Sequence, residues 1–243
     1  MKIALIGYGK MGKAIEEIAL RKGHEVILKI DHLQSGALDF SSAQVAIEFT
    51  TPDAAFGNIL KCFDAGIPVV SGTTGWMDKM DEVKKICIKR NQSFFYASNF
   101  SVGVNIFFEV NKRLAELMND REQYNEWIIR ETHHARKLDA PSGTSISLAE
   151  QIIHKIKRLK SWRNYASDEN KLPVKNDSEI PIFSTREGEV PGTHSIKYIS
   201  HEDEIEIMHK AFNRKGFASG ALLAAEWILG KKGVFGMNDL LNL

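Results

Sequence analysis

A glycine-rich loop near the N-terminus places the strongest constraint on how this chain can fold. Lys2 to Ile6 is a short apolar run, and the next six residues, Gly7-Tyr8-Gly9-Lys10-Met11-Gly12, have the spacing Gly-x-Gly-x-x-Gly. A helical pattern of apolar residues from Ala14 to Ala19 follows and stops at Gly23. A strand, a tight glycine loop and a helix in this order predict the first βα unit of a parallel sheet.

The same loop predicts a dinucleotide site. Its glycines let the backbone approach a pyrophosphate, and the start of the following helix stabilises negative charge. A second strand, Glu25 to Ile30, ends at Asp31, about 20 residues beyond the loop, where a carboxylate accepts hydrogen bonds from ribose hydroxyl groups. An ordinary tight turn that binds nothing is the alternative for the loop alone. The acid at the end of the second strand favours the dinucleotide.

Three further apolar runs predict that the parallel sheet continues. They are Val45 to Phe49, Val69 to Ser71 and Phe94 to Tyr96, and a helix is expected from Asp78 to Arg90. Each run ends in a polar loop. Open α/β sheets bind ligands beyond the carboxyl ends of their strands, so these loops are candidate cofactor contacts.

The second half of the chain contains an unusual concentration of reactive side chains between Glu131 and Thr144. The segment reads Glu-Thr-His-His-Ala-Arg-Lys-Leu-Asp-Ala-Pro-Ser-Gly-Thr, and a strand from Trp127 to Glu131 leads into it. Apolar residues from Ile146 to Leu159 then recur at helical spacing, so Ser142 or Thr144 is the expected N-cap. The free N–H groups at that helix start form an anion site. A polar loop before a surface helix is the alternative reading.

The segment resembles the signature of the dihydrodipicolinate (4-hydroxy-tetrahydrodipicolinate) reductase family, Glu-x-His-His-x-x-Lys-x-Asp-Ala-Pro-Ser-Gly-Thr. The resemblance extends over nearly the whole chain. It implies an α/β protein with a Rossmann-like dinucleotide-binding domain, residues 1–104 and 215–243, and an α+β domain for substrate and oligomerisation, residues 105–214. Three runs of alternating residues near 180–184, 195–199 and 204–208 predict a mixed or antiparallel sheet in the second domain. A homotetramer built through that sheet is implied by resemblance.

The resemblance also implies the reaction and its residues. The family reduces 4-hydroxy-tetrahydrodipicolinate to tetrahydrodipicolinate with NADH or NADPH, on the path to diaminopimelate and lysine. His133 would supply or accept a proton, and Lys137 would act as a second acid. The dicarboxylate substrate would be bound by His134, Lys137, Ser142, Gly143 and Thr144. Besides the glycine loop and Asp31, the expected cofactor contacts are Phe49, Thr50, Gly72, Thr73, Thr74, Ala97, Ser98, Asn99 and Phe100.

The residues near Asp31 bear on which nicotinamide cofactor is used. A carboxylate there favours a free 2′-hydroxyl and repels a 2′-phosphate. His32 follows it, where many family members have an arginine, and Lys10 or Lys29 could assist a phosphate. We expect NADH to be used at least as well as NADPH.

Composition and patterning exclude several other classes. The net charge of +1 gives no electrostatic footprint for nucleic acid or an anionic membrane, and no apolar run approaches the roughly 20 residues that span a bilayer. The N-terminus reads as a strand rather than a signal peptide, and the only two cysteines, Cys62 and Cys87, are expected to be buried thiols, which suits a reducing cytoplasm. No metal site is expected, because neighbouring residues on a strand, such as His133 and His134, point to opposite faces.

Several segments are open to a less specific interpretation. The polar stretch from Lys160 to Ser178 is expected to be a surface loop. The segment from Arg186 to His194 also matches the family and is interpreted as a loop near the site or as a simple turn, while His201 and His209 are expected to be structural. The competing functions are a non-catalytic NAD-binding regulator and another two-domain reductase, such as a homoserine or aspartate dehydrogenase. The former should lack His133 or Lys137, and the latter lacks the His-His to Thr144 string.

Overall fold

Strands and helices alternate through the first hundred residues, as the apolar runs predict. A computed structural model describes residues 1–31, 39–166, 176–213 and 215–243. Within these ranges the chain divides into two units. Unit 1 comprises Met1–Asn105 and Arg214–Leu243, and unit 2 comprises Ile106–Asn213.

Unit 1 is built around a six-stranded parallel sheet with the strand order β11-β5-β4-β3-β1-β2. The strands are β1 Lys2–Ile6, β2 Glu25–Ile30, β3 Val45–Glu48, β4 Val69–Ser71, β5 Ser93–Tyr96 and β11 Gly233–Phe235. The helices are α1 Lys10–Arg21, α2 Pro52–Asp64, α3 Met80–Lys89, α6 Lys215–Ile228 and α7 Met237–Leu241. A short 3-10 turn, Met77–Lys79, precedes α3.

The core of unit 1 lies on both faces of this sheet. Ile3 and Leu5 of β1 pack with α1 and α6, whereas the alternate residues Ala4 and Ile6 pack with α2 and α3. Apolar side chains on both sides of a strand are what a parallel sheet covered by helices requires. The predicted Rossmann-like fold class is confirmed.

Unit 2 contains a mixed five-stranded sheet in the order β10-β9-β6-β8-β7, which confirms the predicted second sheet. The strands are β6 Glu126–His133, β7 Ser161–Ala166, β8 Glu179–Arg186, β9 Gly192–Ile199 and β10 Glu204–Ala211. Strand β6 pairs in parallel with β8 and antiparallel with β9. Two helices, α4 Val102–Met118, which starts in unit 1, and α5 Gly143–Lys155, contribute Phe107, Ala115, Leu148 and Ile152 to its core.

The expectation of a loop from Lys160 to Ser178 is wrong for its first part, because Ser161–Ala166 is strand β7. This strand lies at the sheet edge, pairs in parallel with β8, and buries only part of each side chain. Two aromatic side chains hold this strand against the rest of unit 2. Tyr165 stacks on Phe183 with ring centres 5.7 Å apart, and Trp162 packs on the unit 2 core. Residues 167–175 lie outside the described ranges.

No helix in the described ranges is both long enough and apolar enough to span a bilayer.

Candidate active site

The glycine loop of unit 1 has the close backbone packing that a dinucleotide site needs. Gly7 has φ +94°, and its N–H donates to the carbonyl oxygen of Ile30 at 2.9 Å. A Cβ at Gly7 would overlap the carbonyl of Phe49, and one at Gly12 would overlap the carbonyl of Gly7. The first turn of α1 carries no acidic residue, so no carboxylate within that turn competes with an anion for the helix N-terminus. The residues present therefore fit a dinucleotide.

Tyr8 of the loop belongs to a charged group with Glu16 and Lys29. The Tyr8 hydroxyl donates to Glu16, and Lys29 forms an ion pair with the same carboxylate. The Lys29 ammonium also lies 5.0 Å from the centre of the Tyr8 ring. The hydrogen bond between the two charged groups lowers the pKa of Glu16 and raises that of Lys29. Lys29 is a candidate partner for a 2′-phosphate from the sequence alone, and in the structure this lysine is paired with the carboxylate of Glu16.

A buried carboxylate, Glu48, ties together two of the predicted cofactor loops. Its oxygens accept hydrogen bonds from the backbone N–H of Thr50 at 3.0 Å and from the hydroxyls of Thr50, Ser71 and Thr73. The Thr73 hydroxyl oxygen also lies 2.7 Å from the Thr50 nitrogen. The ends of β3 and β4 are thereby held in one arrangement. Sequence reasoning assigned no role to Glu48, although an acid inside an apolar strand was a signal that could have identified it.

The other predicted cofactor residues follow neighbouring strands of the same sheet. The loops after β1, β3, β4 and β5 stand side by side at the carboxyl edge, and Asp31, which is exposed, follows β2. In the loop after β5, the Asn99 side chain accepts from the N–H of Ser101 at 2.9 Å. Phe100 is 2% exposed, because its ring is buried against Phe49 and Phe95 and its carbonyl packs against Gly220 of α6. His32 lies outside the described residues.

In unit 2, strand β6 carries Glu131 and His133 on one face because residues two apart on a strand point the same way. Glu131 is 1% exposed and His133 is 7% exposed. Glu131 lies opposite His194 of β9, and His133 lies opposite Arg186 of β8. Register therefore gathers two imidazoles, a carboxylate and a guanidinium around the end of β6.

Every oxygen of the Glu131 carboxylate is hydrogen-bonded. One oxygen accepts from the backbone N–H of Ser142 at 2.9 Å and from the Ser145 hydroxyl at 2.7 Å. The other accepts from Arg186 at 2.9 Å. Burial acts to raise the pKa of Glu131, but the hydrogen bonds from Ser142, Ser145 and Arg186 outweigh it and lower the pKa to about 2. Glu131 is therefore ionised throughout the neutral range.

The rings of His133 and His194 lie edge to face with centroids 4.9 Å apart. The Nδ1 atom of each is buried without a hydrogen-bond partner in the described part of the chain, while Nε2 of His194 lies 3.1 Å from the Ser142 hydroxyl. Burial lowers the pKa of His133, an effect that the Glu131 charge opposes and the Lys137 and Arg186 charges reinforce. Burial, followed by the neighbouring His133, lowers the pKa of His194 to about 3.

The loop after His133 is held against the turn between β8 and β9. Glu187 donates its N–H to the His133 carbonyl at 2.8 Å, and Ala135 donates to the Gly188 carbonyl at 3.0 Å. The Lys137 ammonium lies 2.7 Å from both oxygens of Asp139. The segment from Arg186 to His194 thus lies beside the predicted catalytic residues, the first of the two interpretations that its sequence allowed.

Helix α5 begins at Gly143 with Ser142 as its N-cap, which decides between the two predicted candidates. The Ser142 hydroxyl accepts from the N–H of Ser145 at 3.2 Å. The N–H groups of Gly143 and Thr144 make no hydrogen bond to any described residue. Two backbone donors at the positive end of a helix are thus available for an anion, next to the loop that carries His134 and Lys137.

Ligand atoms of Glu131, His133 and His194 lie within 4.8 Å of one another, a spacing that a metal ion could bridge. The electrostatics oppose this use. The Glu131 oxygens already accept three hydrogen bonds, and one donor is a guanidinium 2.9 Å away, which repels a cation. The absence of a metal from the reaction remains a prediction.

Three contributors to this cluster received no role from the sequence, namely Glu131, Arg186 and His194. Glu131 was visible as an acid two residues before His133. Arg186 and His194 lie more than 50 positions away along the chain, and only strand pairing brings them to β6.

A parallel sheet with a glycine loop, together with a second unit that presents imidazoles, an ammonium and two backbone donors at a helix start, is typical of dinucleotide-dependent oxidoreductases that act on small molecules. Comparison with known proteins narrows that class. Residues 1–100 match the family model described as dihydrodipicolinate reductase, N-terminus, and residues 103–241 match the one described as dihydrodipicolinate reductase, C-terminus.

Relatives with curated names belong to the same family as the matching family models. The chain is 48% identical over 243 residues to a 4-hydroxy-tetrahydrodipicolinate reductase of Christiangramia forsetii, covering 100% of this chain and 98% of the relative. It is 35% identical over 234 residues to the enzyme of the same name from Neisseria gonorrhoeae, covering 94% of this chain and 84% of the relative. The chain therefore belongs to the dihydrodipicolinate reductase family, oxidoreductases of lysine and diaminopimelate biosynthesis.

A solved structure shares the fold. It is the dipicolinate-bound dihydrodipicolinate reductase from Paenisporosarcina sp. TG-14, with a TM-score of 0.74, 22% identity, and coverage of 98% of both chains.

Proposed function

We propose that this chain reduces 4-hydroxy-tetrahydrodipicolinate to tetrahydrodipicolinate with a reduced nicotinamide dinucleotide, in the cytoplasm. Family membership supports the reaction. The observation that carries the assignment of residues is the grouping, in one segment of unit 2, of His133, Lys137 and the N–H groups of Gly143 and Thr144, which have no partner among the described residues. Unit 1 binds the dinucleotide in this proposal, and unit 2 binds the substrate.

In this proposal, the hydrogen-bond donors and the ammonium of the segment bind the two carboxylates of the substrate. Gly143 and Thr144 donate backbone N–H groups to one carboxylate at the start of α5, where the helix dipole adds to the attraction. Lys137 and His134 hold the other carboxylate and orient the ring. Dipicolinate, a planar dicarboxylate, is bound to the related enzyme of known structure, which supports a dicarboxylate as the ligand of this segment.

His133 handles the proton in this scheme. Loss of the 4-hydroxyl as water places a proton on the leaving oxygen and removes one from the neighbouring ring carbon, and the reduction that follows adds a hydride and a proton to the carbon skeleton. The bound nicotinamide supplies the hydride. Because burial lowers the pKa of His133, the free imidazole is largely neutral near pH 7, and the negative charge of a bound dicarboxylate raises its proton affinity. Lys137 supplies a second proton donor and balances developing negative charge.

We further propose that NADH is used at least as well as NADPH. Asp31 is exposed just beyond β2, where its carboxylate repels a 2′-phosphate. Lys29, the nearest lysine along β2, is paired with Glu16 and so offers little unbalanced positive charge. The specificity constants for the two cofactors measure this directly, and a strong preference for NADPH would contradict it.

The unit 2 sheet is our candidate surface for assembly into a homotetramer. Edge strand β10 points Met208 outward with 63% of the residue exposed, and Phe212 just beyond it is 83% exposed. Neighbouring apolar side chains at a sheet edge favour contact with another chain.

The function is tested by following nicotinamide absorbance with enzymatically generated substrate. His133→Gln should lower kcat by about 10²–10⁴-fold, the usual contribution of a general acid, while the Kd for NADH stays near wild type. Cofactor binding without turnover in the wild type would favour the regulator, and turnover of homoserine or aspartate instead would favour the other reductases. Full activity in His133→Gln would remove His133 from the mechanism.

A further inference from the structure

Arg186 joins three parts of the unit 2 site through one guanidinium. Its Nη2 atom lies 2.9 Å from Glu131 on β6 and 2.5 Å from the carbonyl oxygen of Asp139 in the loop that follows β6. Its Nη1 atom donates to the carbonyl of Thr185 at 2.9 Å, which anchors the side chain to β8. The loop is therefore fastened to two strands in its middle.

Glu131 fastens the end of the same loop. The loop leaves β6 after His133 and returns to helix α5 at Ser142, whose backbone N–H donates to Glu131. Since Glu131 also accepts from Ser145, it holds both the N-cap and the first turn of α5. The N–H groups of Gly143 and Thr144, which are unpaired within the described ranges, lie between these two attachment points.

The attachment through Arg186 and the attachment through Glu131 position different groups of the proposed substrate site. Lys137 pairs with the carboxylate of Asp139, and the carbonyl of Asp139 is held by Arg186. The position of the ammonium thus depends on Arg186, whereas the direction of the α5 N–H groups depends on Glu131. Glu131 is not a proton donor or acceptor for substrate in this arrangement, because it is 1% exposed and both of its carboxylate oxygens accept hydrogen bonds.

We propose that Glu131 and Arg186 form a positioning pair that holds residues 134–142 in the shape that presents Lys137 and the α5 N–H groups to the substrate's carboxylates. The proposal rests on the function proposed above. It concerns substrate binding and the environment of His133, and leaves cofactor binding by unit 1 unaffected.

The charges of Glu131 and Arg186 act on the pKa of His133 in opposite directions, and a general loss of stability would not reproduce that contrast. The charged and titratable groups that face His133 are Glu131 from β6, Lys137 and Asp139 from the loop, Arg186 from β8 and His194 from β9. The Glu131 charge raises the pKa of His133, and the Arg186 charge lowers it. Removing the two charges one at a time should therefore shift the titration of His133 in opposite directions.

The experiment uses three variants of the full chain, Glu131→Gln, Arg186→Met and Arg186→Lys. Binding of dipicolinate, measured by calorimetry, should weaken about 10-fold or more in all three, because each loses a buried hydrogen bond to a charged group. The KM for substrate should rise in the same variants in which dipicolinate binding weakens, while the Kd for NADH stays at the wild-type value. The matched control is Arg136→Met. Arg136 lies on the same loop as Lys137 and forms an exposed ion pair with Glu189 in the turn between β8 and β9, so breaking that pair should change dipicolinate binding by less than about 2-fold.

The titration of His133 is followed by NMR of labelled histidine, which needs no turnover and so remains informative even if His133→Gln proves fully active. We expect the midpoint to move to lower pH in Glu131→Gln, to higher pH in Arg186→Met, and to stay near wild type in Arg186→Lys, which keeps the charge. Shifts in the same direction, or wild-type dipicolinate binding in Arg186→Met, would overturn the proposal. If Glu131→Gln does not fold, the contrast between the two Arg186 variants decides alone.

Discussion

His194 is buried as a neutral imidazole, and this has a thermodynamic cost in acid. Its pKa is lowered to about 3, chiefly by burial, against an ordinary value of 6.5. Between these values the unfolded chain binds a proton that the folded chain does not. The contribution of His194 to the free energy of unfolding is therefore complete above pH 6.5 and declines as the pH falls toward 3.

This leads to a prediction for His194→Asn. The free energy of unfolding of the wild type should fall with decreasing pH below 6.5, with about 1.4 kcal/mol per pH unit attributable to this one group. The variant should show a slope shallower by that amount, whatever its absolute stability. Urea unfolding between pH 4.5 and 7 measures both slopes, and His201→Asn, at an exposed position, serves as the control. Parallel curves for wild type and His194→Asn would contradict the prediction.

The same sign applies to Glu131, which is also buried but is held in its charged form. Because its pKa is lowered from 4.5 to about 2, its contribution to stability is present above pH 4.5 and is lost as the pH falls through about 2. His194 and Glu131 therefore both make unit 2 more stable at neutral pH than in acid, over successive ranges of pH.

At the scale of single elements, the start of helix α5 combines a structural and a binding role. The Ser142 hydroxyl caps the helix by accepting from Ser145 and also contacts Nε2 of His194. Ser142→Ala should lower the free energy of unfolding by about 1–2 kcal/mol, as loss of an N-cap does, and should raise the KM for substrate because the first turn frays. Ser142→Thr keeps the hydroxyl and should restore most of both. Unaltered urea midpoints and KM in Ser142→Ala would show that the cap matters little.

Elements of unit 1 could be predicted because their sequences depend on local rules. The glycine loop, the strands Lys2–Ile6 and Val69–Ser71, and the helix that begins near Lys10 all follow from spacing and from apolar runs buried on both faces. Strand β7 could not be predicted in the same way. It is a polar edge strand whose order depends on β8 and on the ring of Phe183, neither of which its own composition reveals.

The site residues likewise divide into those that a continuous segment of sequence brings together and those that strand pairing brings together. His133, Lys137 and the α5 N-cap lie within one continuous segment, so the sequence presented them together. Arg186 and His194 contact that segment through the pairing of β6 with β8 and β9, and such register is set by the packing of the whole sheet. Glu48 similarly takes its partners from the end of β4 and from the loops after β3 and β4.

For the whole molecule, the proposed assembly gives a direct measurement. Four chains of 27.3 kDa predict a species of about 109 kDa in sedimentation experiments, and a wild-type monomer would exclude the tetramer. Replacing both Met208 and Phe212 with lysine should dissociate it, because charge at these exposed apolar positions opposes burial between chains. Ile88→Lys is the matched control, since Ile88 is also an exposed apolar residue but lies on α3 of unit 1, and should leave the mass unchanged.

The composition of unit 1 from two distant stretches of chain has a consequence for how the protein is made. Helix α6, which packs against α1 and supplies seven buried residues, and strand β11, which pairs with β5, both come from residues after Arg214. A nascent chain that has emerged only to that point already contains all of unit 2. Unit 1 therefore cannot complete its fold until the residues after Arg214 have been synthesised, and the sheet face that α1 and α6 share stays only partly covered until α6 leaves the ribosome.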